Sequence, residues 1–335
     1  MEIVLEFASR FVSMLKSPTL GFLIVGFVAA ALGSKFRMPD AVMQLVVFML
    51  LMTIGLRAGI EIREGDIVEM AVPAFFSAVL GVSIVLLGSV TLARLPGIRR
   101  DDALATAGLF GAVSASTMAA GLVALEEAEI FVEAWTAALY PFMDIPALIT
   151  AIILSNIWIQ KQKGQGSNIS IGMIAKDSLK GAAITAMLAG IVIGLLTRPE
   201  PVFKEFYDPL FRGFLSVLMF TLGIDAYMEI RRLLKVAHWY VLYAFVGPVV
   251  HGFMGFGLGY IAHLLVGLSP GGVIMLAIIA ASNSDISGPP TLRAGIPTAN
   301  PSSYIGASTG VGTPVAIGFC IPLFITVGKA VFPCI

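Results

Sequence analysis

The chain has 335 residues, 58% of them hydrophobic and 13% charged, with a formal net charge of zero. A soluble domain carries about 25% charged residues, so the composition excludes an ordinary soluble domain, and without a basic block nothing points to nucleic acid. The two cysteines, Cys320 and Cys334, have neither metal-ligand spacing nor the number of a disulfide framework.

A membrane-spanning helix needs about 20 mainly apolar residues, and the chain offers ten such stretches in the lipid bilayer. Residues 1–16 place Glu2 and Glu6 among apolar side chains without the basic start of a signal peptide. They read as a short amphipathic helix at the interface. The first five spans are 18–33, 41–59, 67–93, 103–125 and 131–159, the fifth holding Pro141, Asp144 and Pro146. A polar linker follows. The other five are 179–196, 209–227, 236–266, 271–296 and 302–332, the last interrupted at Gly310-Val311-Gly312-Thr313-Pro314. The division expected is a first unit over 1–160, a linker over 161–178 and a second unit over 179–335. Lysine and arginine gather in cytoplasmic loops. Arg99, Arg100, Lys161, Lys163 and Arg231 share one side if both termini are outside and the linker is cytoplasmic.

The chain repeats itself. A shift of 168 lays Thr53-Ile54-Gly55 over Thr221-Leu222-Gly223, Ser114 and Ser116 over Ser282 and Ser284, and Pro146 over Pro314. Each unit has an odd number of spans, so the second enters from the opposite side. The expected fold is an all-α polytopic membrane protein of ten transmembrane helices in two inverted five-helix repeats, as secondary transporters use.

Two spans are broken, the fourth and the ninth. In the ninth, Ser282-Asn283-Ser284-Asp285-Ile286-Ser287-Gly288-Pro289-Pro290-Thr291 cannot continue a helix, because each proline lacks an N–H and clashes with the preceding turn. Broken polar backbone at membrane depth must face protein or a watery cavity, and an ionisable residue there marks a functional site. Its partner is Gly111-Ala112-Val113-Ser114-Ala115-Ser116-Thr117. Ser116 or Thr117 can cap a helix starting at Met118, and Ser287 one with Pro289 in its first turn. Inversion brings the breaks together, so two helix N-termini, each carrying about half a positive charge, face one small site. The small residues Gly111, Ala112, Ala115 and Gly288 favour a compact oxyanion. The expected anion set is Ser114, Ala115, Ser116, Thr117, Ser282, Asn283 and Ser284. Around sodium stand Asp285, Ser284, Ser287, Thr117 and Asp144. Asp144 reads equally as a carboxylate satisfying backbone freed by its prolines. His251, inside the eighth span, reads as a hydrogen-bonded structural histidine before a proton relay, Gly252, Gly255, Gly257 and Gly259 as close helix packing or a sliding surface, and Trp135 and Trp239 as interface anchors.

The stretch from Ser282 to Pro297, with Gly108-Leu109-Phe110-Gly111, Tyr140-Pro141-Phe142-Met143-Asp144-Ile145-Pro146 and Tyr207-Asp208-Pro209-Leu210-Phe211-Arg212-Gly213, closely resembles the sodium-dependent bicarbonate transporters of bacteria, the SbtA-type permeases. The resemblance implies sodium–bicarbonate symport in the cytoplasmic membrane and an elevator-like core domain moving against a gate domain. It also implies a homotrimer and inhibition by a cytoplasmic PII-like protein. It puts substrate serines at Ser114, Ser116, Ser282 and Ser284 and the sodium carboxylate at Asp285, with no organic cofactor. Position 283 departs from the pattern, being Asn where related members have serine, and the linker is short. Alternatives are carriage of another small anion and sodium/proton antiport, although the fourth span offers no acid opposite Asp285. An aspartyl protease is disfavoured, because Leu222-Gly223-Ile224-Asp225 lacks the required Gly-x-Gly-Asp, and the expectation is a protein that is not an enzyme.

Overall fold

The computed structural model describes residues 8, 12, 16–64, 67–163, 182–233, 238–285 and 288–333. The interfacial helix expected over 1–16 lies almost wholly outside them, as do linker residues 164–178 and Ser287. Among the described residues the chain is all helical, without strands. Seven helices are long and apolar enough to cross a membrane, and three shorter apolar helices, Pro18–Ala31, Thr185–Leu196 and Pro270–Ala281, coincide with further expected spans.

In chain order the helices are α1 (Pro18–Ala31), α2 (Asp40–Glu64), α3 (Ile67–Thr91), α4 (Arg100–Gly111), α5 (Ala115–Glu127), α6 (Leu139–Lys163), α7 (Ala182–Leu196), α8 (Asp208–Leu233), α9 (His238–Val266), α10 (Pro270–Ala281) and α11 (Gly288–Gly295). The last, α12 (Pro301–Val331), is continuous. Both expected breaks are present, between α4 and α5 and between α10 and α11. The interruption expected at 310–314 is not a break. Two π-helical stretches, Gly306–Gly312 and Ala316–Cys320, widen α12 around Pro314, and that extra room lets a proline sit inside a helix.

The helices pack in two groups that meet where α8 lies along the π-helical start of α12. In one, α2 packs on α7 and α1 on α8, with α2 touching α8. Glycines set these approaches. A Cβ at Gly55 would lie 2.3 Å from the Met187 carbonyl oxygen, and one at Gly223 would lie 2.0 Å from that of Leu23. Likewise a Cβ at Gly190 would lie 2.8 Å from the Met52 carbonyl oxygen, and one at Gly26 would lie 2.0 Å from that of Phe220. No side chain fits there, so the backbones touch, as small residues allow in membranes.

The second group gathers α3, α4, α6, α9, α10 and α12 around the two breaks. Of the glycines on α9, Gly252 faces Phe324, Gly255 faces Ala280, and Gly259 faces Val273, as expected for close packing, whereas Gly257 has nothing near it. Two clamps hold the entrances of the broken helices. The Asn300 N–H donates to Asp102 Oδ1 at 2.6 Å at the start of α4. At the start of α10, Ser269 donates from its N–H to Glu133 Oε1 and from its hydroxyl to Glu133 Oε2, both at 2.7 Å. Trp135 is buried, not an interface anchor, and its backbone N–H donates to Glu61, whereas Trp239 is exposed.

Candidate functional site

The two breaks touch. The Ser114 N–H donates to Ser282 Oγ at 3.1 Å, and the Ser284 N–H donates to the Leu109 carbonyl at 2.8 Å. Each break thereby supplies hydrogen-bond partners that the other lost when its helix stopped, as buried backbone requires. Ser114, Ser116, Thr117, Ser282, Asn283 and Ser284 have no solvent exposure at all.

One helix start differs from that expected, while α11 carries Pro289 in its first turn as expected. Helix α5 begins at Ala115, three residues early, because Ser114 is its cap and accepts from the Thr117 N–H at 3.1 Å. Ser116 does not cap, since its hydroxyl reaches across the crossing. The first backbone bond of α5 runs from Met118 N–H to Ser114 C=O, so the N–H groups of Ala115 and Ser116 point out of the helix end. Helix α11 is poorer in donors. Its Gly288 N–H is taken by Ser284 Oγ at 2.8 Å, and Pro289 and Pro290 have none. The crossing therefore offers one donor-rich helix end and one that acts mainly through its dipole.

Asp285 joins the two halves. Its Oδ2 accepts from Ser116 Oγ at 2.7 Å and its Oδ1 from Ser114 Oγ at 3.2 Å. Ser114 and Ser116 hydroxyls also lie 2.7 Å apart. The carboxylate thus holds the hydroxyls expected to bind the anion. Asp144 enters from α6 and accepts the Val113 N–H at 2.9 Å through Oδ1. Its Oδ2, the Thr117 hydroxyl and the Asn283 Nδ2 are buried and without hydrogen-bond partners. Ala115 contributes its place in the first turn of α5, and Ser282 Oγ donates to the Ile279 carbonyl at 2.6 Å.

Two further residues belong here that sequence reasoning passed over. Ser308 and Thr313, from the π-helical part of α12, donate to Asn283 Oδ1 at 2.7 and 3.1 Å. Ser308 Oγ also lies 2.8 Å from the Ser284 carbonyl. Their signal was present as hydroxyls beside the glycines of an apolar span. His251 is buried behind the crossing against Phe110 and Tyr243, and its Nδ1 has no partner.

Of the described crossing residues, Asp285 is partly exposed. A cavity of about 620 Å³ lies nearby, between α2, α5 and the start of α8, lined by Thr53, Arg57, Glu61, Leu122, Glu126 and Asp208 among others. None of residues 111–117 or 282–285 lines it. At its edge Arg212 of α8 pairs with Glu126 and Glu127 at the end of α5.

Apolar helices around a buried, polar meeting of two interrupted helices define a multi-pass membrane protein with the kind of site that secondary transporters build. The family follows from comparison: the model of the Na+-dependent bicarbonate transporter superfamily matches residues 18–329, and the chain belongs to that superfamily. No curated protein matches the chain significantly.

Proposed function

We propose that the protein carries bicarbonate into the cell with sodium, holding the anion at the crossing of the two broken helices and sodium beside it at Asp285. The observation that carries this reading is the Asp285 carboxylate bonded to Ser114 and Ser116 across the crossing. Without a cation, that carboxylate repels an incoming anion and occupies the hydroxyl donors the anion needs. Sodium at Asp285 neutralises the repulsion and releases the Ser114 and Ser116 protons toward the anion, next to the outward N–H groups of Ala115 and Ser116. Each ion also offsets part of the other's desolvation in an apolar interior. Thr117, Ser282, Asn283 and Ser284 complete the anion site. Thr117, Ser284, Ser287 and Asp144 supply oxygens on the cation side.

The same reading takes the fold as two inverted five-helix repeats. Exchanging the halves carries the Gly55–Met187 approach onto Gly223–Leu23, and Gly190–Met52 onto Gly26–Phe220. It also carries the Asp102–Asn300 clamp to within one residue of the Ser269–Glu133 clamp. A two-fold relation within the membrane produces such reciprocal pairs. An outward N-terminus, relative movement of the two helix groups, a homotrimer and a PII-like partner belong to this proposal through the family resemblance.

The test is uptake by purified protein in liposomes, comparing bicarbonate, nitrate, sulfate and acetate with and without an inward sodium gradient. Bicarbonate accumulation that needs the gradient is the expected result. Accumulation of another anion, or proton release on adding sodium alone, would replace this reading with carriage of that anion or with antiport.

A further inference from the structure

One positive charge stands well inside the apolar helix α2. Arg57 lies about two turns from the end of that helix at Glu64, the outer end in the orientation proposed above. It is exposed, although residues 51–56 and 58–59 on either side are buried. A charge within a span is costly, and it marks either a partner or an ion pathway. The partner is lacking. Arg63, on the same helix, is held by the Gly194 and Thr197 carbonyls and by Glu200, and Arg212 pairs with Glu126 and Glu127. Arg57 has no hydrogen bond or ion pair among the described residues, and is only within electrostatic reach of Glu61, one turn further out.

Packing does not account for it either. The register of 168 sets Asp225 of α8 at the same place, and Asp225 is likewise exposed between buried neighbours. What serves packing is kept on both helices. Thr53 and Thr221 each donate to the carbonyl four residues back, and Gly55 and Gly223 each leave no room for a side chain. Only the sign of the charge is reversed. A side chain that merely filled space or reached for the membrane surface needs no such reversal, whereas one that acts on ions does. Attraction of an anion at the entry side and not at the exit suits an importer.

Arg57 lines the cavity of about 620 Å³ between α2, α5 and the start of α8. The carboxylates around it are engaged locally. Glu61 accepts from the Trp135 N–H, Glu126 pairs with Arg212, and Asp208 stands in the first turn of α8, where the helix dipole favours it. The guanidinium is left as a planar fork of donors, the shape that fits a planar oxyanion. The α5 wall of the cavity begins at Leu122, about 10 Å along the helix from Ala115 at the crossing. The buried turn from Met118 to Gly121 lies between. The cavity therefore stands one turn away from the donor-rich end of α5.

We propose that Arg57 is an anion-recruiting residue, whose guanidinium takes up the small oxyanion in this cavity before the anion moves on to the crossing. This rests on the transport reading above and deepens it by adding a transient site on the way in.

The experiment is uptake in proteoliposomes. Wild-type protein is measured first with bicarbonate, nitrate, sulfate and acetate under a sodium gradient, and the anion it carries is used throughout. Accumulation of none of them would overturn the transport reading and this proposal with it. Arg57→Gln should raise the anion half-saturation about three- to tenfold at low ionic strength, and by less than about twofold at high, because steering by one charge is screened. The saturating rate, the sodium half-saturation and the thermal midpoint should keep their wild-type values. Arg57→Cys is made together with Cys334→Ser, so that buried Cys320 is the one native thiol left. It is labelled before reconstitution with thiol reagents of equal size bearing an ammonium or a sulfonate. The ammonium should restore the wild-type half-saturation, and the sulfonate should raise it further. A wild-type half-saturation for Arg57→Gln would overturn the proposal and leave the transport reading standing. So would equal effects of the two labels, or a lowered saturating rate at unchanged half-saturation, either of which would make Arg57 a structural residue.

Discussion

Ser116 donates a 2.7 Å hydrogen bond to Asp285, although 169 positions separate them in the chain. The bond spans the two helix breaks, so any ion that engages Asp285 changes what Ser116 can offer. Sodium should therefore lower the half-saturation for bicarbonate, and bicarbonate should lower that for sodium by the same factor, because binding linkage is reciprocal. A hydrogen bond to a charged group contributes about 1.5–3 kcal/mol, which sets the coupling at roughly ten- to a hundredfold. Ser116→Ala should reduce this factor, and Asp285→Asn should abolish sodium-dependent uptake while the protein remains folded. Uptake of labelled bicarbonate across a matrix of sodium concentrations measures both. Full uptake by Asp285→Asn would remove the carboxylate from its assigned role.

Asp144 should separate stability from coupling. Its Oδ1 satisfies the Val113 N–H at the break, and its Oδ2 has no partner. Asp144→Asn can still accept from Val113, so thermal unfolding in detergent should change little while sodium affinity falls. Asp144→Ala leaves that buried N–H unsatisfied and should also cost about 1–3 kcal/mol of stability. Equal sodium affinity in wild type and Asp144→Asn would reduce Asp144 to a backbone partner.

The glycine contacts predict a paired stability effect. Gly55→Ala and Gly223→Ala each push a methyl group into a carbonyl oxygen of the facing helix, Met187 or Leu23. Each should destabilise by about 1–3 kcal/mol, the usual cost of overpacking, and by similar amounts, since the contacts are reciprocal. Gly257→Ala meets nothing within 4 Å and should fall within about 0.5 kcal/mol of wild type. Unlike shifts in thermal midpoint for Gly55→Ala and Gly223→Ala would argue against the two-fold relation.

The breaks were legible because Gly288-Pro289-Pro290 forbids a helix whatever packs around it. Their meeting was legible because one register of 168 linked Ser114 to Ser282, the pair that the structure joins by a hydrogen bond. The caps were not. Choosing among Ser114, Ser116 and Thr117 depends on which hydroxyl is drawn across the crossing to Asp285, a long-range contact that leaves no local trace. In the proposed repeat the first helices keep a different register. Their glycine contacts correspond only after a four-residue change of register, so Gly26 answers to Gly190 and not to Gly194. Ser308 and Thr313 were missed because Gly310 to Pro314 read as an interruption. The π-helical widening instead keeps α12 intact and turns their hydroxyls inward.

The clamps at the helix entrances differ from the ion pairs at the surface, and stability should tell them apart. Glu133 engages Ser269 with both oxygens, while the Ser269 hydroxyl also caps α10 by accepting from the Gly272 N–H at 2.9 Å. Glu133→Ala leaves the Ser269 N–H without its acceptor and loosens the cap, and should cost about 1–3 kcal/mol. Arg212 also makes two bonds to carboxylates, at 3.0 and 3.2 Å, but its side chain is 53% exposed. Water competes for both ends, and exposed pairs contribute about 0–1 kcal/mol. Arg212→Ala should therefore leave thermal unfolding nearly unchanged and lose what little it contributes as salt rises. A large midpoint drop for Arg212→Ala, with none for Glu133→Ala, would show that the surface pairs, and not the Glu133 clamp, fasten α5 and α10 in place.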